Sequence, residues 1–145
     1  MIRSTVLLTA VALAAGLVPG AAAAQSGWTY LQCQTRYYVG HPTATTRPAN
    51  PTRLEESTVR IRTSPVGWQR LSAASTPRWD TDICTLTDFN TCSVAGDEVR
   101  LVGRRGYTNT INLRTLRQAY ERQDASSHTW GEGTCRRVAD PRAAG

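Results

Sequence analysis

Residues able to do acid–base chemistry are few in this chain. Its two histidines lie far apart in sequence, His41 before Pro42 and His128 after two serines. A nuclease-like pair would need both imidazoles at one phosphate with a glutamate nearby, and the spacing does not enforce this. No Gly-x-Ser-x-Gly or Ser-x-x-Lys nucleophile motif is present. We therefore predict no catalytic residue and a protein that is not an enzyme.

Metal and cofactor ligands are also not indicated. Asp80, Asp82 and Asp88 cluster around Cys84, but they lack the regular alternation and the distal glutamate of an EF-hand loop. The cysteines contain no Cys-x-x-Cys pair of the kind that binds zinc. The short glycine turns are not phosphate-binding loops. We predict no metal site and no cofactor.

The basic residues are all arginine, and the 145-residue chain carries a formal net charge of +6. Thr58 to Thr63 alternates like a strand, and the turn Ser64-Pro65-Val66-Gly67 suits a type I turn with a glycine bulge. In that register Ile61 faces Leu71, and one face of the hairpin is apolar.

The same register puts Arg60, Arg62 and Arg70 on the solvent face, with Arg62 directly opposite Arg70. Like charges so placed are destabilising unless an anion lies between them. That anion is either a glutamate of the preceding loop, Glu55 or Glu56, or the phosphate or carboxylate of a partner. The three arginines are thus a candidate anion-binding patch.

Cysteine usage indicates an oxidising compartment. The four cysteines all follow residue 24, and an even number in an exported chain predicts two disulfides. Of three connectivities we favour Cys33–Cys135, which joins the first strand to the last, and Cys84–Cys92, which closes a short polar loop.

The N-terminus has the pattern of a secretory signal peptide, Met1 to Ala24. Arg3 supplies the positive charge, an apolar stretch follows, and Ala22-Ala23-Ala24 offers the small residues that signal peptidase accepts at a cleavage site. We predict a periplasmic or secreted protein with one domain, 25–145, and no membrane span once the signal is removed.

Strand patterns dominate that domain. Alternation begins after Gly27 and returns before Cys135, with turn signals every eight to twelve residues. We predict an all-β fold, a small antiparallel meander forming a barrel or a sandwich stapled by disulfides. Prolines predict a loop at 40–57. The segment 113–123 fits either a short helix or a hairpin.

The C-terminal third carries a resemblance. The strand Tyr107 to Leu113, the polar turn after it, and the closing Gly133-Thr134-Cys135 resemble a group of small exported bacterial proteins with a signal peptide. Leu113 departs from the group, where arginine is common, as does Leu116-Arg117, where the group has Thr-Gly. The resemblance implies a β-rich fold and no particular activity.

Together these features predict a non-catalytic binding or structural protein of the bacterial cell envelope. An inhibitor of an exported or host enzyme and a small secreted hydrolase or nuclease are the alternatives. The expected partner is an anionic envelope component or another exported protein. Nucleic acid is not expected, because no aromatic stacking motif is interleaved with the arginines.

Overall fold

The protein is an antiparallel meander that forms a nearly closed eight-stranded barrel. The computed structural model describes residues 27–86, 90–104 and 106–143, so the predicted signal peptide, Met1 to Ala24, lies outside the described residues. The strand order is β3-β2-β1-β8-β7-β6-β5-β4. The strands are β1 (Thr29–Gly40), β2 (Arg53–Thr63), β3 (Val66–Arg70), β4 (Asn90–Ala95), β5 (Glu98–Gly103), β6 (Tyr107–Asn112), β7 (Arg117–Gln123) and β8 (His128–Arg137).

Helix is limited, over the described ranges, to one 3-10 turn at Ile83–Thr85. No helix of the described chain has the length and hydropathy that crossing a membrane requires. The ambiguous segment 113–123 is a hairpin, because β6 pairs with β7 across a turn that ends at Leu116 with a φ of 56°. The predicted all-β fold is confirmed.

Alternation along each strand sorts side chains into the barrel or onto its outer surface. On β1, Leu31, Cys33 and Thr35 are buried while Gln34 and Arg36 are exposed. The predicted disulfide Cys33–Cys135 lies in this interior and links the neighbouring strands β1 and β8. The buried core around it comprises Leu31, Cys33, Val59, Ile61, Trp68, Val99, Leu101, Ile111 and Cys135.

The 3-10 turn bridges the gap between the unpaired edge strands β3 and β4. The predicted disulfide Cys84–Cys92 attaches this turn to β4. The Asp82 carboxylate attaches it to β3, because Oδ1 accepts hydrogen bonds from the backbone N–H groups of Trp68 at 3.0 Å and Cys84 at 3.1 Å. These two links take the place of ladder hydrogen bonds at this seam.

The proline-rich loop is shorter than predicted. Strand β1 runs to Gly40 and β2 begins at Arg53, so 41–52 is the loop, and the expected boundary at residue 57 is wrong. Arg53 to Ser57 alternates in sidedness and pairs with the end of β1, which makes it strand. The loop is held on the outer surface by Arg47, whose guanidinium lies 2.7 Å from the Glu132 carboxylate.

The register of the β2–β3 hairpin also differs from the prediction. The turn is the two residues Ser64-Pro65, joined by a cis peptide bond, and Ile61 pairs with Trp68 instead of Leu71. Both registers bury one apolar face, so alternation alone does not select between them. The observed pairing places Arg70 on the inner face opposite Val59.

The tip of the β7–β8 hairpin is organised by Asp124. Its carboxylate accepts hydrogen bonds from the Ser126 hydroxyl at 2.7 Å and from the backbone N–H groups of Ser126 and Ser127. The hydroxyl and then the backbone donors lower the pKa of Asp124 to about 2. In an unfolded chain the pKa of Asp is about 3.9.

A pH dependence follows from this turn. The lowered pKa stabilises the folded state above pH 4, and the contribution is lost as pH falls from about 4 to about 2. We expect the stability difference between wild type and Asp124→Asn to shrink over that interval, measured by urea denaturation at several pH values. A difference that stays constant from pH 5 to pH 2 would contradict this role of Asp124.

Candidate ligand-binding site

One end of the barrel interior is an open cavity, here called the cup, with a volume of about 410 Å³. An eight-stranded barrel is wide enough either to be filled by side chains or to hold one small ligand. Here the core fills the end near the Ser64-Pro65 turn. At the other end, where β1 finishes and β2 starts, the interior positions leave space.

The floor of the cup is apolar. It is formed by Val59 and Trp68 from β2 and β3 and by Leu101 from β5, all of them buried. Ile83 of the 3-10 turn adds to it from the seam. A ligand that reaches the floor would therefore meet hydrocarbon and an indole ring.

Three tyrosines form the wall. The ring of Tyr120 is edge-on to Tyr37, with centroids 5.3 Å apart, and edge-on to Tyr107 at 5.4 Å. Such edge-to-face pairs hold aromatic rings in defined positions. Burial is the main cause of the raised pKa of Tyr37 and of Tyr107, so both hydroxyls stay protonated at neutral pH.

Buried amides complete the wall. The Thr35 hydroxyl donates to Gln118 Oε1 at 2.9 Å, and Gln118 Nε2 donates to Asn109 Oδ1 at 3.1 Å. Buried polar groups that are all hydrogen-bonded hold one arrangement, because breaking it leaves an unsatisfied group. The amides are therefore a rigid part of the cup.

Charged side chains stand at the mouth. Arg70 donates to Glu55 Oε1 at 2.8 Å, and Arg53 Nε lies 3.8 Å from the other oxygen of the same carboxylate. The Arg53 guanidinium also stacks on Tyr37, 4.4 Å from the ring centroid. Asp80 lines the mouth from the connection after β3.

The predicted patch of Arg60, Arg62 and Arg70 is not one surface. Arg70 points into the cup, and Arg62 pairs with Gly67 instead of Arg70. Arg60 is on the outer face, with its guanidinium 4.5 Å from the Trp28 ring and 4.7 Å from the Trp79 ring. The like-charge pair that motivated the patch does not exist.

Arg62 has partners of its own on this outer face. Its Nε donates to the Pro65 carbonyl at 2.8 Å, and its guanidinium lies 3.7 Å from Asp82. Cation–π and ion-pair contacts thus engage Arg60 and Arg62 with the protein itself. Of the three predicted arginines, Arg70 alone lines the cup.

Neither histidine lines the cup. His41 is exposed on the proline-rich loop, where its Nδ1 lies 2.8 Å from the Thr43 hydroxyl. His128 is buried beneath that loop on the outer surface, with its Nδ1 2.7 Å from the Ala44 carbonyl and its Nε2 2.8 Å from Glu121. Both nitrogens of His128 therefore face acceptors, and the contact with Ala44 attaches the loop to the barrel.

The sequence reasoning missed most of the cup. The alternation of β1 and β6 does place Tyr37 and Tyr107 on the strand faces that carry buried residues, which was a usable signal. Arg53 was assigned to a loop, and nothing local in the sequence links it to Tyr120, which lies on β7.

No protein-family model matches the chain, and no curated protein is similar to it in sequence. Within the described residues, no group of three or more His, Cys, Asp or Glu side chains is arranged to hold a metal ion.

Proposed function

We propose that this chain is an exported, non-catalytic binding protein of the bacterial cell envelope that takes one small ligand in the cup. The observation that carries the proposal is the open end of the barrel, a cavity of about 410 Å³ with an apolar floor and polar groups at its mouth. Cavities of about 300 to 1,000 Å³ with a few placed polar groups are the usual form of small-molecule sites.

The exported location is supported by chemistry in two parts of the chain. Met1 to Ala24 has the composition of a signal peptide. The disulfides Cys33–Cys135 and Cys84–Cys92 persist in oxidising compartments. A rigid, disulfide-linked cup suits a protein that holds a ligand outside the cytoplasm.

A steric block tests the binding role. Ser57 lines the cup, so Ser57→Phe puts a ring into the cavity. Ser93→Phe is the matched control, because Ser93 is exposed on β4. The full chain is expressed with its own N-terminus, recovered from the periplasm or medium, and examined by native mass spectrometry after incubation with the small-molecule fraction of an envelope extract.

We expect a protein that begins at Gln25, without free thiols, and with a bound adduct in the wild type and in Ser93→Phe. The adduct should be lost in Ser57→Phe, because the ring occupies the ligand volume. Retention of the adduct in a folded Ser57→Phe, or its absence from all three proteins, would overturn the cup as a ligand site. Recovery only from the cytoplasm would overturn export.

A further inference from the structure

The mouth of the cup carries two arginines with unused hydrogen-bond donors. A guanidinium has five N–H donors in a planar fork. Arg70 uses one of its nitrogens on Glu55. The Arg53 guanidinium makes no hydrogen bond with any described residue, and its contact with the Glu55 carboxylate is 3.8 Å long. Most donors of both groups are thus available to a ligand.

The arginines are also held in place. Arg53 is stacked on the Tyr37 ring, and Arg70 is tied to Glu55, which both arginines flank. Glu55 itself is half-buried on β2. Fixing a guanidinium before binding reduces the entropy that a ligand must overcome. The Glu55 carboxylate between the two arginines is itself an example of the chemical group that this mouth accommodates.

The tyrosine wall adds donors next to the arginines. The hydroxyls of Tyr37 and Tyr120 make no hydrogen bond within the described part of the chain. The hydroxyl of Tyr37 is a donor at neutral pH, because the ordinary pKa of tyrosine is about 10 and burial raises that of Tyr37 further. Arg70 is close enough to Tyr37 and Tyr107 to oppose this shift in both. The donors of Tyr37, Arg53, Arg70 and Tyr120 therefore converge from β1, β2, β3 and β7.

Formal charge does not select the ligand. Arg53 and Arg70 are balanced by Glu55 and by Asp80, so the cup as a whole carries equal numbers of each sign. The excess is in hydrogen-bond donors, which phenols and guanidinium groups supply. An ionised carboxylate accepts about four hydrogen bonds, and arginine binds it through two parallel ones.

Polarity changes along the axis of the cup. The donors stand at the mouth, and the buried floor of Val59, Trp68 and Leu101 lies below them. A ligand that satisfies both ends is amphipathic, with one polar head and an apolar body. Burial of that body on the floor favours binding in proportion to its area.

We propose that the cup binds a small organic acid, with its carboxylate held by Arg53 and Arg70 and its apolar body against Trp68 and Leu101. This inference rests on the proposed function and names the ligand class of the same site. The carboxylate head lies at the mouth, and the body points toward the core.

Three probes with the same phenylalkyl body test the class: 4-phenylbutyrate, its uncharged isosteric amide, and 4-phenylbutylamine, which carries a positive charge. Each is titrated into the disulfide-bonded protein, and binding is followed by the indole N–H signal of Trp68 in NMR spectra. We expect the carboxylate to bind at least about tenfold more tightly than the amide, because hydrogen bonds to a charged acceptor are lost. The amine should bind more weakly than the carboxylate too.

Matched arginine variants locate the head group. Arg53→Gln and Arg70→Gln should each weaken 4-phenylbutyrate about tenfold. Arg117→Gln should leave binding unchanged, because Arg117 is exposed on β7 and does not line the cup. If Arg70→Gln disturbs the fold because the Arg70–Glu55 pair is lost, Arg53→Gln still tests the role of the arginines in binding.

The outcomes separate this inference from the proposed function. If the amide or the amine binds as tightly as the acid, or if Arg53→Gln and Arg70→Gln both bind the acid normally, the organic-acid class is wrong. If no probe binds but the extract adduct is lost in Ser57→Phe, the class is wrong and the cup remains a ligand site. If Ser57→Phe binds 4-phenylbutyrate as the wild type does, both are wrong.

Discussion

Replacing Cys33 and Cys135 together by serine is expected to lower the free energy of unfolding by about 2 to 5 kcal/mol. The bond joins β1 to β8 across 102 residues, and in the chain-entropy model a loop of about 100 residues contributes about 4.7 kcal/mol. Both sulfurs also belong to the buried core, where two serine hydroxyls would need hydrogen-bond partners. Urea denaturation of the oxidised proteins measures the loss.

Replacing Cys84 and Cys92 by serine is the matched control and should cost less. That bond closes a loop across only 8 residues, for which the same model gives about 2.5 kcal/mol. Both cysteines are also only partly buried, so the substitution disturbs less packing. Equal losses in the two double variants, or a larger loss for the short loop, would contradict this ranking.

Asp82→Ala is expected to lower the free energy of unfolding by about 2 to 3 kcal/mol. The substitution removes one acceptor from two backbone donors, Trp68 N–H and Cys84 N–H, and it removes the ion pair with Arg62. The Asp82 side chain is only 13% exposed, so water replaces these partners poorly. Urea denaturation measures the stability.

Hydrogen exchange of backbone amides shows whether the loss of stability in Asp82→Ala arises where the 3-10 turn meets β3. The Trp68 amide should exchange faster in Asp82→Ala, because it loses its acceptor. Asp82→Asn keeps an oxygen at this position and should lose less stability. Asp80→Ala is the control, since the exposed Asp80 carboxylate makes no hydrogen bond to any residue that the structure describes. Unchanged exchange at Trp68 in Asp82→Ala would show that Asp82 does not close the seam.

Local patterns in the sequence were sufficient for the fold class. A period of two is the geometry of a strand, so the alternation of Leu31, Cys33 and Tyr37 already placed these side chains on one face. Turn residues at regular spacing indicated a meander. The number and spacing of cysteines in a chain with a signal-peptide pattern indicated the two bonds that the structure contains.

Local patterns were not sufficient for the register of β2 with β3. The observed two-residue turn at Ser64-Pro65 and the predicted turn with a glycine bulge at Gly67 each give the hairpin an apolar face. The choice between them therefore depends on what packs against that face. In the barrel, Ile61 and Trp68 belong to one buried cluster with side chains of β1 and β5. That contact exists only when the sheet has curled.

Local patterns in the sequence were also not sufficient to predict the position of Arg70 in the cup. An arginine at an inward position contradicts a simple apolar-in, polar-out pattern, and the sequence reasoning therefore placed it in solvent. Barrel closure creates an interior with an open end, where inward-facing side chains reach water and other polar groups. Arg70 there meets Glu55 at 2.8 Å.

The sequence by itself determined the all-β meander, the two disulfides and the buried face of β1, because these depend on neighbours along the chain and on residue chemistry. Only the tertiary structure decided that Tyr37, Arg53, Arg70, Tyr107 and Tyr120 surround one cavity, because they come from five strands that meet when the sheet closes. The cup is a consequence of that closure, since no pair of neighbouring strands contains it.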